Sequence, residues 1–503
     1  MSYAQAQTVS YVRTEVLPER APPTTETGVI KWVRENLFSS WLNGILTVIS
    51  IYAIYLALAG IVPWLLNSVW GAESLTQCRE VLNAKGLDSH DGACFSVLTA
   101  RWHQMVFGYY PSELYWRPVL ALILFLVGIM PVLFSGLPRK MFMLTAAVPF
   151  ICFWLLWGGS IWGPIVIALG FVLGWAAMKF FGENLSPLAG LIAAIILPIL
   201  YWIFAAPNLV AVLNSGIFYH WILLATFGAW VIFAFVHPLF EKMSNGGAAS
   251  VSLVLFLFWL GSAVPVLGIM LEFGFVSLGD TSGVGIEFVE SRKFGGFMLS
   301  IVIGLSAIIL SLPLGILLAL GRQSDLIIIK TTAVVFIEVI RGVPLIVWLF
   351  TAQLLLNYFL PPGTNFDLTL RVIIMVTLFA SAYIAEVVRG GLAALPTGQY
   401  EGADSLGLNY WQSMQLIILP QALKISIPGI VNTFIGLFKD TTLVVFIGLF
   451  DPLGIAGAVR ATTEWNGIYW ELFAFIGLMF FVACFSMGRY SLYLEKKLQR
   501  EHR

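Results

Sequence analysis

The sequence predicts an all-α, polytopic helical membrane protein, and two observations lead to that class. Hydrophobic residues make up 59% of the 503 residues, whereas charged residues make up only 11%. A soluble domain carries about 25% charged residues. Long apolar runs recur along the chain, for example over 41–66 and 295–321, and each exceeds the roughly 20 residues that a helix needs to cross a bilayer. The 27 basic and 27 acidic side chains balance, so the net charge does not indicate a nucleic acid partner.

The apolar runs form two groups of candidate spans, about seven before residue 280 and five after it. The sequences "WGGSIWG" and "FAAPNL" are short turns, so re-entrant segments remain an alternative to the third through sixth spans. The spans are expected near 41–66, 119–136, 141–157, 161–178, 187–206, 209–236, 249–272, 295–321, 327–356, 369–391, 423–449 and 467–488.

The basic residues predict the orientation of the chain, because Lys and Arg accumulate in cytoplasmic loops. The first 40 residues are polar and lack the basic start and short apolar core of a signal peptide, so they are expected to be a cytoplasmic tail. With the N-terminus inside, most Lys and Arg outside the spans lie on the cytoplasmic side. An even number of spans then returns the C-terminus to the cytoplasm and places the long loop 67–118 outside.

Two cysteines lie in this outer loop, and two lie within predicted spans. Cys78 and Cys94 would face an oxidising compartment, where such a pair tends to form a disulfide. Closing a loop of this size contributes roughly 3 kcal/mol in the chain-entropy model. We therefore expect a bridge between them, whereas Cys152 and Cys484 are better explained as packing residues.

A polar stretch between apolar runs, "YEGADSLGLNYWQSMQLIILPQA" at 400–422, has a specific spacing. Gly407 can adopt the left-handed conformation that ends one helix and begins another, and Pro420 is expected to end the second helix before the next span. Two short helices joined at this glycine would form a rigid projection on the cytoplasmic face. The alternative is an amphipathic loop lying on lipid headgroups. The spacing is defined by Glu401, Gly402, Ala403, Gly407, Ile417, Leu419 and Pro420.

This spacing resembles the cytoplasmic coupling loop of ABC importer membrane subunits, which reads E-A-A, three residues, G, nine residues, I-x-L-P. The chain departs from it only at Gly402, where the pattern has alanine. Three further stretches resemble the polar amino acid branch of that family. This branch imports histidine, glutamate, glutamine, arginine and opines. The stretches are "FIEVIRGVPL" (336–345), "SAYIAEVVRGGLAALPTGQYEGADSLG" (381–407) and "PGIVNTFIGLFKDTTLV" (428–444). The outer cysteine pair and "FGYYPSELYWR" (107–117) further resemble a membrane subunit of general L-amino-acid importers.

The resemblance implies a domain organisation and a function. A cytoplasmic tail (1–40) and an N-terminal transmembrane extension (41–272) would precede a five-span type I importer core (290–495), which carries the coupling loop at 396–422. The chain would be a permease subunit in a bacterial inner membrane and would carry polar or general L-amino acids into the cell.

The resemblance also implies partners. These are a homologous permease subunit, identical or different, a cytoplasmic ABC ATPase dimer, and a periplasmic amino-acid-binding protein that delivers the substrate. The sequence contains no Walker A pattern and no Gly-Lys dipeptide. We therefore expect a transporter subunit that is not an enzyme and binds no cofactor itself, with ATP and magnesium held by the partner ATPase.

A short pattern with an acid and a base three residues apart occurs twice, as Glu338 with Arg341 and as Glu386 with Arg389. Residues at this spacing lie on one helix face and can form an ion pair. Ionisable groups within a membrane are costly unless they are paired or face water. We interpret both pairs as clamps for helix packing, with direct contact to the substrate as the alternative.

A second polar group lies well along the predicted span 423–449. A zwitterionic amino acid needs a base for its carboxylate and an acid or a carbonyl for its ammonium group, and Lys439 and Asp440 are adjacent candidates. An ion pair with a neighbouring subunit would explain the same two residues. The candidates for the substrate path are Asn432, Lys439, Asp440 and Thr441.

Other classes of site find little support in the sequence. The five histidines are scattered, without a helical pair or an adjacent thiol, so no metal site is expected. An ion-coupled secondary amino acid transporter remains the alternative function, with Glu338 and Glu386 as ion sites, although such transporters often contain longer internal repeats.

Overall fold

The computed structural model describes residues 28–134, 136–214, 285–355, 358 and 367–500. Within these ranges eight helices are long and apolar enough to cross a membrane, or nine if one bent pair is a single span. The predicted fold class is therefore confirmed. The predicted span 249–272 and most of the span 209–236 lie outside the described residues.

The N-terminal part is helical, with short connections. The helix Phe142–Trp157 has only 16 residues, so it is shorter than the four stretches of this part that are long enough to cross a membrane, which have 21 to 26 residues. The elements are α1 Gly28–Asn36, α2 Trp41–Leu66, α3 Leu75–Ala84, α4 Ser96–Phe107, α5 Trp116–Leu133, α6 Phe142–Trp157, β1 Gly159–Ser160, α7 Trp162–Asn184, α8 Pro187–Leu200 and α9 Ala206–Asn214.

The turn predicted at "FAAPNL" is wrong. A π-helical segment, Tyr201–Ala205, joins α8 to α9, so the helix runs on to Asn214. Pro207 lacks a backbone N–H donor, and it follows this π-helical segment closely, where the regular α-helical hydrogen-bond pattern is already interrupted. The segment "WGGSIWG", in contrast, is a turn, in which Gly158 and Gly159 have φ values of 76° and 84°.

The helices α7 and α8 pack at close range because glycines face one another. A Cβ atom at Gly190 would lie 2.8 Å from the Cα atom of Gly182, and one at Gly174 would lie 2.8 Å from Cγ of Pro198. Small residues of this kind let transmembrane helices approach closely.

The C-terminal part carries the remaining spans. α10 packs against α13 along much of its length, and a Cβ atom at Gly315 of α10 would lie only 2.6 Å from Cγ2 of Ile384. The elements are β2 Gly285–Ile286, α10 Gly296–Gln323, α11 Ile327–Gly342, α12 Leu345–Phe350, α13 Leu368–Ala393, α14 Thr397–Ser405, α15 Tyr410–Ser413, α16 Leu419–Asp440, α17 Pro452–Arg460 and α18 Trp470–Arg500.

The predicted span 327–356 is a bent pair rather than one straight helix. The axes of α11 and of the following helical segment differ by 103°. Pro344 stands between them, immediately before α12. Proline disfavours a helical conformation in the preceding residue, and Val343 accordingly has an extended backbone, with φ −120° and ψ 136°.

Contacts divide the chain into two units, residues 1–100 with 463–471 and residues 101–462 with 472–503. In the first unit, α2 buries no residue against the described part of the chain. The second unit has a core that combines residues from both halves of the sequence. Phe107, Tyr110 and Leu156 pack there in one cluster with Phe294 and Leu299.

Backbone contacts in the second unit join the stretch "FGYYPSELYWR" to the start of α10. Gly108, with φ +67°, lies so close to Gly295 that a Cβ atom would overlap with its backbone. The hydroxyl of Tyr110 donates to the carbonyl of Leu156 at 3.0 Å. Arg117 donates from Nη1 to the carbonyl of Glu287 at 2.6 Å, next to the antiparallel pair β1–β2.

Candidate functional site

The coupling segment, residues 397–418, consists of two helical pieces joined at Gly407. This glycine has φ +70°, a conformation that L-residues with side chains adopt only at a cost. Asn409 then begins the second piece with a reciprocal capping box, in which its side chain accepts from the amide of Gln412. The predicted arrangement of two helices about Gly407 is confirmed.

One side of the coupling segment is buried against the rest of the second unit, to which the segment belongs. Ala403, Met414 and Ile418 are buried, and the latter two pack with the ends of α10 and α13 in a common cluster. The hydroxyl of Tyr400 donates to the carbonyl of Leu392 at 3.3 Å, and burial raises the pKa of this phenol. The segment is therefore held rigidly at the end of α13.

The opposite side of the segment is exposed and apolar. Leu406, Trp411 and Leu416 are 73%, 63% and 65% exposed, respectively. Glu401 and Gly402 share this exposure. Apart from its chain neighbours and the nearby backbone of its own helix, no described heavy atom lies within 4 Å of a Cβ placed at Gly402. Ile417 and Leu419 are half-buried, so the residues of the motif are divided between the two sides.

The prediction that Pro420 ends the second helix is wrong. Residues 410–447 form one apolar helical span, in which a π-helical segment, Met414–Ile418, leads directly into α16. Pro420 is the second residue of α16 and directly follows this π-helical segment, so the N–H donor that proline lacks is missing where the regular α-helical hydrogen-bond pattern is already interrupted. The second helical piece and α16 are thus mechanically continuous.

The repeated acid–base pattern forms one network of ion pairs across three helices. Glu386 lies at its centre, paired with Arg389 on its own helix, with Arg322 at 3.2 Å and with Arg341 at 3.6 Å. Glu338 pairs with Arg322 at 2.8 Å.

The predicted contact between Glu338 and Arg341 is wrong, because their side chains take partners on other helices. Arg341 points towards α13, where its guanidinium also lies 5.4 Å from the ring centre of Tyr383. Glu338 points instead to Arg322 at the end of α10. The network therefore connects α10, α11 and α13 rather than clamping each helix to itself.

Lys439 lines a groove between α16 and α18. The groove has a volume of about 440 Å³ and walls of Ile435, Gly477, Phe480, Phe481, Cys484 and Phe485. Lys439 is exposed, and so is Asn432 two turns earlier on α16. Residues seven apart lie on one face of a helix, so these two predicted residues share a face.

The other two candidates for the substrate path lie apart from this groove. Asp440 is half-buried, and no ion pair joins it to Lys439 in the described ranges. Thr441 is buried, and its hydroxyl donates to the carbonyl of Phe438 at 2.7 Å. The structure thus brings together Asn432 and Lys439, but not Asp440 or Thr441.

The loop 67–118 contains a disulfide between Cys78 and Cys94, whose Cα atoms are 6.2 Å apart. Both cysteines are buried. Cys152 and Cys484 are free thiols. Where the chain is described, no group of three or more potential metal ligands occurs.

A buried carboxyl group lies between the last two spans. Asp451 is fully buried, and its Oδ1 accepts from the amide of Gly454 at 2.8 Å at the start of α17. Its Oδ2 atom has no hydrogen-bond partner among the described residues. Burial raises the pKa of Asp451 to about 6, against the opposing effect of backbone amides.

Comparison with known proteins identifies the family. Residues 311–500 match the family described as binding-protein-dependent transport system inner membrane component. The glutamate/glutamine/aspartate/asparagine transport system permease protein BztC of Rhodobacter capsulatus is 48% identical over 495 residues, which cover 98% of this chain and 99% of that protein. The chain belongs to the amino-acid ABC transporter permeases.

One further relative agrees in name with this permease family. The inner membrane amino-acid ABC transporter permease protein YhdY of Escherichia coli is 33% identical over 481 residues, or 95% of the permease and 96% of that protein. A crystal structure of an amino acid ABC transporter with histidines matches at 30% identity with a TM-score of 0.36, over 40% of the permease and 91% of that chain. The protein is a permease subunit of an ABC importer for amino acids, and thus a transport component.

Two residues of the permease that the sequence interpretation missed are Arg322 and Asp451. Arg322 is a single cation at the end of a 28-residue apolar helix, and such a charge is expected to find an acidic partner. Asp451 precedes Pro452, a combination that signals the start of a helix. Neither residue lies at a regular spacing from the acid–base pattern or the coupling segment, so the sequence did not associate it with those sites.

Proposed function

We propose that the coupling segment of the permease binds a separate ATPase subunit and transmits its movements to α16. The observation that supports this is the division of the segment into a buried side and an exposed apolar side. Exposed apolar patches mark interaction sites, and the buried side gives the segment a rigid mounting. ATP and magnesium would be held by the partner.

The continuity of the second helical piece with α16 supports the transmission of force. A displacement of Trp411 or Leu416 by the partner would act along residues 410–447 as one helix. Lys439 lies on that same helix. Movement of the coupling segment would therefore change the position of the candidate substrate residue.

The proposed substrates are amino acids with acidic or amide side chains. The name of BztC lists glutamate, glutamine, aspartate and asparagine, and BztC aligns with nearly the whole permease. The ammonium group of Lys439 in the groove could bind a carboxylate by a charge-assisted hydrogen bond. Asn432 on the same helix face could contribute a second polar contact.

The remaining features of the assembly are also part of the proposal. A cytoplasmic tail over 1–40, an extension over 41–272 and an importer core over 290–495 fit a topology with both termini in the cytoplasm. The core would pair with a homologous permease subunit, and a periplasmic binding protein would deliver the substrate. In this topology the ion-pair network around Glu386 stabilises the inner ends of α10, α11 and α13.

The test is purification of the permease from its own membrane, followed by identification of the proteins that remain bound. We expect an ATPase subunit to co-purify. In proteoliposomes containing the whole complex and its binding protein, uptake of labelled glutamate or glutamine should require ATP on the side of the membrane that carries the coupling segment. Uptake driven by a proton or sodium gradient without ATP would contradict the proposal and favour a secondary transporter.

A further inference from the structure

The outer loop of the N-terminal extension contacts a distant segment of the core sequence. The amide of Leu75 donates to the carbonyl of Glu464 at 2.8 Å. The amide of Cys94 donates to Oε1 of Glu471 at 2.8 Å. Both contacts lie within the first unit of the chain. Residues 463–471, the outer segment, follow α17 after two further residues and include the first two residues of α18, the last span.

The outer segment is well packed although it is not a regular helix before Trp470. Trp465 and Ile468 are only 1% and 2% exposed. Glu471, at the beginning of α18, is 8% exposed. A buried carboxylate is unfavourable unless it accepts hydrogen bonds, and the Cys94 amide provides one.

The disulfide determines where the Cys94 amide lies. Cys94 pairs with Val69 in a parallel bridge, and Cys78 belongs to α3, whose first residue contacts Glu464. Each of the two hydrogen bonds to the outer segment therefore starts at or near one of the two disulfide-bonded cysteines. Gly92 adds to this constraint, since a Cβ there would lie 2.6 Å from the carbonyl oxygen of Asn67.

We propose that residues 67–95 form a clasp that holds the outer segment in place, and that transport requires this clasp. Glu471 is the positioning residue, because it connects the disulfide-closed loop to the last span. The proposal assigns a role to part of the N-terminal extension, which lies outside the residues 311–500 that match the family model. Only its transport component depends on the proposed function, since the holding of the outer segment can be measured without transport.

The first experiment measures hydrogen–deuterium exchange of the purified full complex before and after reduction. We expect reduction of the disulfide to raise exchange in 463–471 at least tenfold, while exchange in the coupling segment stays the same. A Cys78→Ala, Cys94→Ala double variant treated with the same reductant is the control, and it should show no further change. Unaltered exchange in 463–471 after reduction would overturn the proposal.

The second experiment compares two substitutions of Glu471 in proteoliposomes that contain the whole complex. Glu471→Gln retains an oxygen acceptor for the Cys94 amide, so exchange and substrate uptake should stay within twofold of the wild type. Glu471→Leu removes the acceptor. We expect faster exchange in 463–471 and at least a tenfold loss of uptake, with basal ATP hydrolysis within twofold of the wild type.

The two readings of a negative result can be separated. If Glu471→Leu and the reduced protein gain exchange in 463–471 but keep full uptake, the functional role of the clasp is overturned. If the wild-type complex shows disulfide-dependent exchange but no ATP-driven uptake at all, the clasp is supported and the proposed function fails.

Discussion

Arg341 on α11 extends to Glu386 on α13, with 3.6 Å between Nη1 and Oε2. Glu386 thereby forms ion pairs with three arginines on three helices, while Glu338 forms an ion pair with one of them, Arg322. The two acids of the repeated pattern are thus unequal in the structure, although they are equivalent in the sequence. This inequality leads to the first prediction.

Glu386→Gln should destabilise the permease more than Glu338→Gln does. Removal of the central carboxylate leaves three cations close together, and the loss of one partner of a buried pair is strongly unfavourable. Glu386 is 23% exposed at its side chain, so we expect about 2 kcal/mol rather than the full buried value. Glu338 is 54% exposed, so Glu338→Gln should lower the free energy of unfolding by less than about 1 kcal/mol. Thermal unfolding of the two purified variants compares them, and equal shifts would contradict the network.

Gly407→Val should abolish ATP-driven uptake and co-purification of an ATPase, while the protein still inserts into the membrane. A β-branched residue strongly disfavours the left-handed conformation at φ +70°. Gly407→Asn is the matched control, because asparagine tolerates that conformation. It should retain most of the uptake. If the valine variant transports normally, the coupling segment does not depend on this turn.

Gly402→Ala should stabilise α14 by up to about 1 kcal/mol, since alanine is the better helix former. Apart from its chain neighbours and the nearby backbone of its own helix, no described heavy atom lies within 4 Å of the new methyl group, so we expect no steric penalty. The substitution also restores the family pattern. Co-purification of the ATPase should be unchanged or stronger, and weaker binding would show that the partner requires glycine at this position.

Lys439→Met should remove uptake while the complex and its basal ATP hydrolysis persist. The change keeps the side chain long but deletes the only ionisable amine among the described residues that line the groove. Lys424→Met, on the same helix, is the control and should transport. Normal uptake by the Lys439→Met variant would remove this residue from the proposed substrate path.

The stability of the permease should depend on pH through Asp451. Burial raises the pKa of this carboxyl from 3.8 to about 6, so the folded state binds the proton more tightly than the unfolded state. The resulting stabilisation is complete below about pH 4 and is lost as the pH rises through about 6. The raised pKa corresponds to a contribution of about 3 kcal/mol to the free energy of unfolding at low pH.

Asp451→Asn provides the control for this pH dependence. Asparagine can still cap α17 but does not titrate. The difference in thermal stability between the wild type and this variant should therefore change between about pH 4 and about pH 6 and then level off. A constant difference over that range would mean that the carboxyl group does not titrate in the folded protein.

Much of the fold was predictable because single segments carry their own signals. Apolar runs of sufficient length located the described spans, and Gly407 indicated a break between two helices. The error at Pro420 arose because a proline signals either the end of a helix or its first turn. The π-helical segment Met414–Ile418 decides between these cases, and no local pattern reveals it.

The candidate site was less predictable, because it depends on partners that are distant in sequence. The three-residue spacing of Glu338 and Arg341 permits a contact, but it does not exclude better partners on α10 and α13. The bond between Cys94 and Glu471 joins residues 377 positions apart. Nothing in the sequence around Glu471 distinguishes it from an ordinary interfacial acid.

The contact between Gly108 and Gly295 has a consequence for the inheritance of the permease. The two backbones touch, so either position can change to a larger residue only if the other part of the chain moves away. No compensating substitution exists, since glycine has no side chain to shorten. An exchange of gene segments between homologous permeases would thus succeed at this joint only when each donor has glycine at the position that it supplies. The two glycines are therefore expected to be kept together in homologous permeases.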